Sequence, residues 1–200
     1  MSEIIRIRGK LADMQVFELT RGLKVGDPVE ITEELLSLEL GPGLIGMVYD
    51  GLQNPLPEMA AQVGKFLEPG HYLKALDRKR DWDFTPLAAP GTVVTAAENL
   101  GKVKENIFDH FIMAPFTLNG EWKVKSIAPA GKYKVDKEIA VLEKDGQTVS
   151  VNMIQRWPVR IPLGIYRERL LPTQTMVTKQ RIIDTFFPIA RGGTACIPGP

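Results

Sequence analysis

The chain has 200 residues, 44% apolar and 24% charged, and its 25 basic and 24 acidic side chains leave a formal net charge of +1. That balance removes the basic excess a dedicated nucleic-acid binder relies on, and the apolar fraction argues against wholesale disorder. The single Cys196 excludes an internal disulfide and any multi-cysteine zinc site. Eighteen glycines and 15 prolines point to many short elements joined by turns. The first eight residues contain no apolar signal core, and no window approaches the roughly 18 apolar residues of a membrane span. A soluble, cytoplasmic chain is expected.

Along the first third, Ile5 and Ile7 alternate with Arg6 and Arg8, residues 9–13 turn the chain, and Phe17 and Leu19 alternate with Glu18 and Thr20. This predicts a hairpin with one buried face, as in a small barrel or sandwich. Gly26-Asp27-Pro28 is a further turn before the short run Val29-Glu30-Ile31. Asn54-Pro55 and Leu56-Pro57 end what precedes them, and residues 59–67 predict a short helix stopped before Pro69-Gly70.

The middle third reads as a compact antiparallel module over about 65–153. Trp122 and Val124, Tyr133 and Val135, then Val149, Val151 and Met153 alternate with polar neighbours, and Ile139 and Val141 precede Glu143-Lys144-Asp145-Gly146. Asp145-Gly146 between two such runs predicts a type I′ turn. Beyond it, residues 157–162 and 171–173 read as proline-pinned connectors, and 179–187 as a helix closed by Pro188. Residues 194–197 read as a buried strand with an inert Cys196 thiol. The final run, Gly-Gly-Thr-Ala-Cys-Ile-Pro-Gly-Pro, has no polar tail and reads as an interrupted chain.

Few residues point to chemistry. Gly41, Gly43 and Gly46 match G-x-G-x-x-G, but Gly51, Pro55 and Pro57 prevent the long helix that motif must open, so turn glycines are expected. His71 and His110 lack a second ligand at metal spacing and are expected to be surface or packed histidines. The mixed run 78–83 predicts a solvated surface, with an interaction patch as the alternative because Trp82 and Phe84 interleave the charges. Lys144 near a hairpin tip is placed like the modified lysine of lipoyl or biotin carriers, without their flanking motif.

Longer stretches carry a resemblance. Residues 155–160 (Gln-Arg-Trp-Pro-Val-Arg), 171–173 (Leu-Pro-Thr), 180–188 (Gln-Arg-Ile-Ile-Asp-Thr-Phe-Phe-Pro) and 192–200 closely resemble the catalytic A subunit of V-type and archaeal-type rotary ATPases. So do 22–29, 38–46 and 49–56, which resemble the N-terminal barrel and its exit, and 76–86, which resembles the start of the insertion particular to A subunits. The coverage is nearly end to end and in order. Lys179 departs from it, because the family usually has glycine between the threonine and glutamine at 178 and 180. The resemblance implies barrel strands upstream of Glu3-Ile4-Ile5-Arg6, either absent or trimmed from these 200 residues.

The resemblance implies a mainly β chain in three parts. Residues 1–56 would be a partial N-terminal β-barrel, 57–153 an inserted barrel-sandwich-like module forming an outward bulge, and 154–200 the linker and truncated start of an α/β nucleotide-binding domain. Gly199 would be the first residue of the phosphate-binding loop, with no lysine following it and with ATP and Mg²⁺ bound by the parent enzyme only. The parent would couple ATP synthesis or hydrolysis to proton or sodium transport. Its partners would be B subunits in an alternating A/B hexamer, together with peripheral-stalk subunits. It would be cytoplasmic and peripheral to the membrane, with no nucleic acid and no direct membrane insertion. The 200 residues themselves are expected to be inactive, to hold no catalytic residue and no metal, and to end in an extended or mobile tail. The rival readings are a stand-alone β-rich adaptor with no enzymatic role and, from Lys144 alone, a carrier domain.

Overall fold

The computed structural model describes residues 1–32, 34–64, 70–164, 168 and 170–199. It is mostly strands and contains two compact units, Met1–Leu163 and Gly164–Pro200.

The first unit opens with a two-stranded antiparallel hairpin, β1 (Ser2–Arg8) and β2 (Leu11–Val16). Its turn is tighter than the sequence suggests. Only Gly9-Lys10 separates the paired Arg8 and Leu11, and Gly9 takes φ +59°, as the first position of a II′ turn requires. Leu11, Ala12 and Asp13 therefore belong to β2, and the return strand ends before Phe17 and Leu19. The expected buried face is also absent. Ile4, Ile5, Ile7 and Leu11 are all exposed, and among the described residues no further strand pairs with this hairpin. Its fixed points are polar: Arg8 bonds both Asp13 oxygens, and the buried Glu3 pairs with Arg160 at 3.0 Å. Val29-Glu30-Ile31 forms no strand.

Strand β3 (Ser37–Leu40) pairs antiparallel with β12 (Gln155–Pro158), so chain segments 115 residues apart meet in one ladder. Trp157-Pro158 is thus the end of a strand and not a free connector. Proline is tolerated there because it is the last residue of a two-stranded edge. Between them, Asp50 accepts the amides of Leu52 and Asn54, and Asn54, itself buried, accepts the amide of Leu73. Helix α1 (Leu56–Val63) begins earlier than the sequence pattern implies. Pro57 lies in its first turn, where a missing N–H leaves no intrahelical bond unmade. Gly64 at φ +88° follows its last residue, and residues 65–67 of the predicted helix lie outside the described residues.

The remaining strands are β4 (Asp81–Pro86), β5 (Val93–Val94), β6 (Asn99–Glu105), β7 (Phe108–Met113), β8 (Trp122–Ile127), β9 (Gly131–Lys134), β10 (Ala140–Lys144) and β11 (Gln147–Val151). They form two four-stranded antiparallel sheets, ordered β11-β10-β8-β5 and β7-β6-β4-β9. Alternation sets their inner faces: Trp82 and Phe84 on β4 and Trp122 and Val124 on β8 are buried, while Asp81, Asp83, Lys123 and Lys125 are exposed. Leu100 from β6 packs with Val94, Trp122, Val124 and Leu142 of the other sheet, so the sheets share a core. A second cluster joins Trp82, Phe84, Val103 and Ile112 to Val135, Ile139 and Met153. Asp145 and Gly146 take φ +48° and +80° between the paired Lys144 and Gln147, the expected type I′ geometry.

In the second unit, helix α2 (Arg181–Phe186) is enclosed by an antiparallel bridge between Thr175 and Ala190. Residues 194–197 form no strand and are exposed, so the buried strand and buried Cys196 expected from the apolar run are corrected. An apolar run becomes a buried strand only when a neighbouring strand covers it, and none does among the described residues.

Candidate functional site

The glycine loop at 41–46 leaves β3 in turns and opens no helix. Gly41 is fixed by close packing: a Cβ there would lie 2.7 Å from the Met153 carbonyl oxygen and 2.9 Å from a Leu76 methyl. Gly43, at φ +109°, passes 3.4 Å above the Trp82 ring, measured from where its Cβ would stand. The loop is held by Glu105, the last residue of β6, whose side chain is only 2% exposed. One Glu105 carboxylate oxygen accepts the amides of Gly43 at 2.7 Å and Ile45 at 3.3 Å. The other lies 2.8 Å from Nδ1 of His110 on β7, which stands opposite Val103 and diagonally across from Glu105. The charge is buried, and three partners compensate its desolvation. This arrangement binds backbone, with no nucleophile or phosphate donors in it.

Beside the loop lies a cleft of about 530 Å³ that reaches the segment 74–82. Here the run of mixed charge divides. Trp82 and Phe84 are 3% and 1% exposed, so they are core residues and not surface aromatics interleaving charges. Arg80 stacks its guanidinium 4.0 Å from the centre of the Trp82 ring, and Arg78 meets Glu39 at 2.6 Å. Lys74 and Lys79 remain exposed on the same wall.

His71 is exposed and His110 is the half-buried partner of Glu105. Among the described residues, no group of three or more His, Cys, Asp or Glu could hold a metal ion. Lys144 precedes the Asp-Gly tip and donates to the Asn119 carbonyl at 2.9 Å. It therefore braces a loop where a carrier lysine would project freely.

Gly199 is exposed, with no atom within 4 Å of where its Cβ would stand. Pro200 lies outside the described residues. Among the described residues, no side chain and no backbone group lies within 4 Å of the Gly199 Cβ position to cradle a phosphate. In the same unit, Asp184 accepts the amide and hydroxyl of Thr178 at 2.9 and 2.7 Å and the amide of Lys179 at 3.0 Å. The Thr178 hydroxyl, then its amide, hold the Asp184 carboxyl below its ordinary range. Lys179 stands at φ +65°, the left-handed conformation a glycine would adopt without strain.

Sequence reasoning missed Glu105 and Asp184. An isolated acidic residue carries no burial signal, and both act through backbone partners that only the fold supplies.

Comparison with known proteins places these features. Residues 73–160 match the family described as the ATP synthase alpha/beta subunit barrel-sandwich domain, a span that includes both four-stranded sheets. Over all 200 residues the chain is 57% identical to the V-type ATP synthase alpha chain of Treponema denticola, covering 34% of that protein. It is 54% identical to that of Borrelia hermsii, covering 34%, and 53% identical to that of Borrelia turicatae, covering 35%. The chain spans about a third of the length of the curated relatives it matches. With its mainly β architecture and sandwich module, the chain is similar along all its 200 residues to V-type ATP synthase alpha chains, and residues 73–160 carry their barrel-sandwich domain.

Proposed function

We propose that this chain supplies the assembling, non-catalytic part of the catalytic subunit of a V-type ATP synthase. The observation that carries this reading is identity of 53–57% across all 200 residues to V-type ATP synthase alpha chains, combined with buried carboxylates, Glu3 and Glu105, that bind other parts of the fold. The parent subunit binds ATP and Mg²⁺ and couples ATP synthesis or hydrolysis to proton or sodium transport. Within it, 1–56 belong to an N-terminal barrel, 57–153 to the bulge, and 154–200 lead into the nucleotide-binding domain. The exposed apolar side chains of the β1–β2 hairpin support the first assignment, because they present strand edges and faces that further strands would cover. Gly199 opens the phosphate-binding loop, and among the described residues no side chain stands within 4 Å of its Cβ position to hold a phosphate. Phosphoryl transfer works by positioning and charge neutralisation, so the 200 residues alone hydrolyse nothing.

The partners on this reading are B subunits, alternating with the parent in a hexamer, and peripheral-stalk subunits. The complex is cytoplasmic and peripheral to the membrane; in the chain, no helix among the described residues is long and apolar enough to cross a membrane. Co-expression of the tagged chain with the B and stalk subunits of the same organism tests this. Retention of those subunits on the tagged chain is expected, and a folded chain that retains none of them contradicts the assembly role.

A further inference from the structure

The cleft beside the glycine loop holds more positive charge than the fold uses. Among the described residues, Lys74, Lys79 and Arg80 on its wall have no carboxylate at ion-pair distance, and Arg80 has only the Trp82 ring as a partner. Arg78 bonds Glu39 through one nitrogen, while its other terminal nitrogen is buried with no acceptor. The indole N–H of Trp82 is likewise buried without an acceptor. With Arg78 paired to Glu39, three cations stand against two lining carboxylates, Glu58 and Asp77, and Asp77 is already turned back to accept the amide of Lys79 at 2.7 Å. Pro42, Met47 and Leu76 supply an apolar floor next to Trp82.

A small anion would satisfy the cations and leave that floor bare. The cleft, at about 530 Å³, lies within the range of pockets that enclose several groups at once. We propose that it docks an acidic peptide segment of a partner protein, whose carboxylates pair with Lys74, Lys79 and Arg80 while an intervening apolar side chain lies over Met47 and Leu76. Complementary charge at such a rim governs encounter and register, while the apolar contact retains the segment. This proposal does not depend on which subunits the parent assembles with.

The test is an NMR titration of the ¹⁵N-labelled 200-residue chain. The probe is a capped pentapeptide alternating glutamate and leucine, with its glutamine–leucine counterpart and inorganic phosphate as comparisons. The expected result is a saturable shift of the Trp82 indole and of the amides of residues 76–80, with the Trp122 and Trp157 indoles unmoved. Lys79→Glu should weaken the binding about tenfold and Glu58→Gln should strengthen it, because one adds and the other removes a repelling charge. Both residues are exposed, so unchanged spectra elsewhere verify that each variant is folded. The proposal is overturned if no shift appears at millimolar peptide, or if the glutamine peptide binds equally well. It also fails if the variants change nothing, or if phosphate alone reproduces the whole pattern, which would make the cleft a small-anion site.

Discussion

Glu105 satisfies two loop amides and one imidazole from a position almost closed to solvent. Glu105→Ala should destabilise the chain by about 3 kcal/mol, because the Gly43 and Ile45 amides lose a charged acceptor in a buried site. Glu105→Gln, which keeps one acceptor oxygen, should lose less. Urea denaturation distinguishes them, and equal losses would mean that packing, and not hydrogen bonding, sets the value of the side chain. Gly101 on β6 makes the opposite demand: a Cβ there would overlap the ring of the fully buried Phe84. Gly101→Ala should therefore cost about 1–3 kcal/mol by overpacking, visible as a lowered urea midpoint.

Glu18 adds a pH dependence. The Gly70 amide, then the Tyr72 hydroxyl and the terminal ammonium, hold its carboxyl down from 4.5 to about 2. A folded-state pKa below the unfolded value contributes stability above about 4.5, and that contribution is lost as pH falls from 4.5 toward 2. Urea midpoints of the wild type should thus fall more steeply across this window than those of Glu18→Gln. Parallel curves would exclude the contribution.

At the scale of elements, strands with strict alternation and a recognisable turn were legible. β10 and β11 follow from Asp145-Gly146 because an I′ turn fixes the register, but the inward face of β10 is Ala140 and Leu142, opposite Val151 and Val149, and not Val141. β4 was obscured: Asp81-Trp82-Asp83-Phe84 alternates cleanly, but it continues a charged run and ends in Pro86, so it resembles solvated surface. β6 was hidden by Gly101 and by the register shift between Asn99 and Gly101, which puts Leu100 and Val103 out of alternation. β3 and β12 were illegible for a different reason. Their pairing spans more than a hundred residues, and no local pattern encodes a partner that distant. Helix α2 was found with its start misplaced by two residues, because Lys179 turns left-handed before it. Lys179→Gly should relieve that strain by about 0.5–1 kcal/mol, read as slower hydrogen exchange at the Asp184 and Phe187 amides that close the helix.

Taken as a whole molecule, the chain is one sandwich module with flanking segments, and outside the cleft of residues 74–82 its buried carboxylates Glu3 and Glu105 are committed to architecture. The glycine loop that matches a dinucleotide pattern is a packed turn under Glu105, and the lysine near a carrier-like tip braces Asn119. The most direct test of a non-catalytic role is a titration of the purified 200-residue chain with a fluorescent ATP analogue in the presence of Mg²⁺. The account predicts no saturable signal, because among the described residues nothing stands within 4 Å of the Gly199 Cβ position to cradle a phosphate. Saturable binding at micromolar analogue would contradict it.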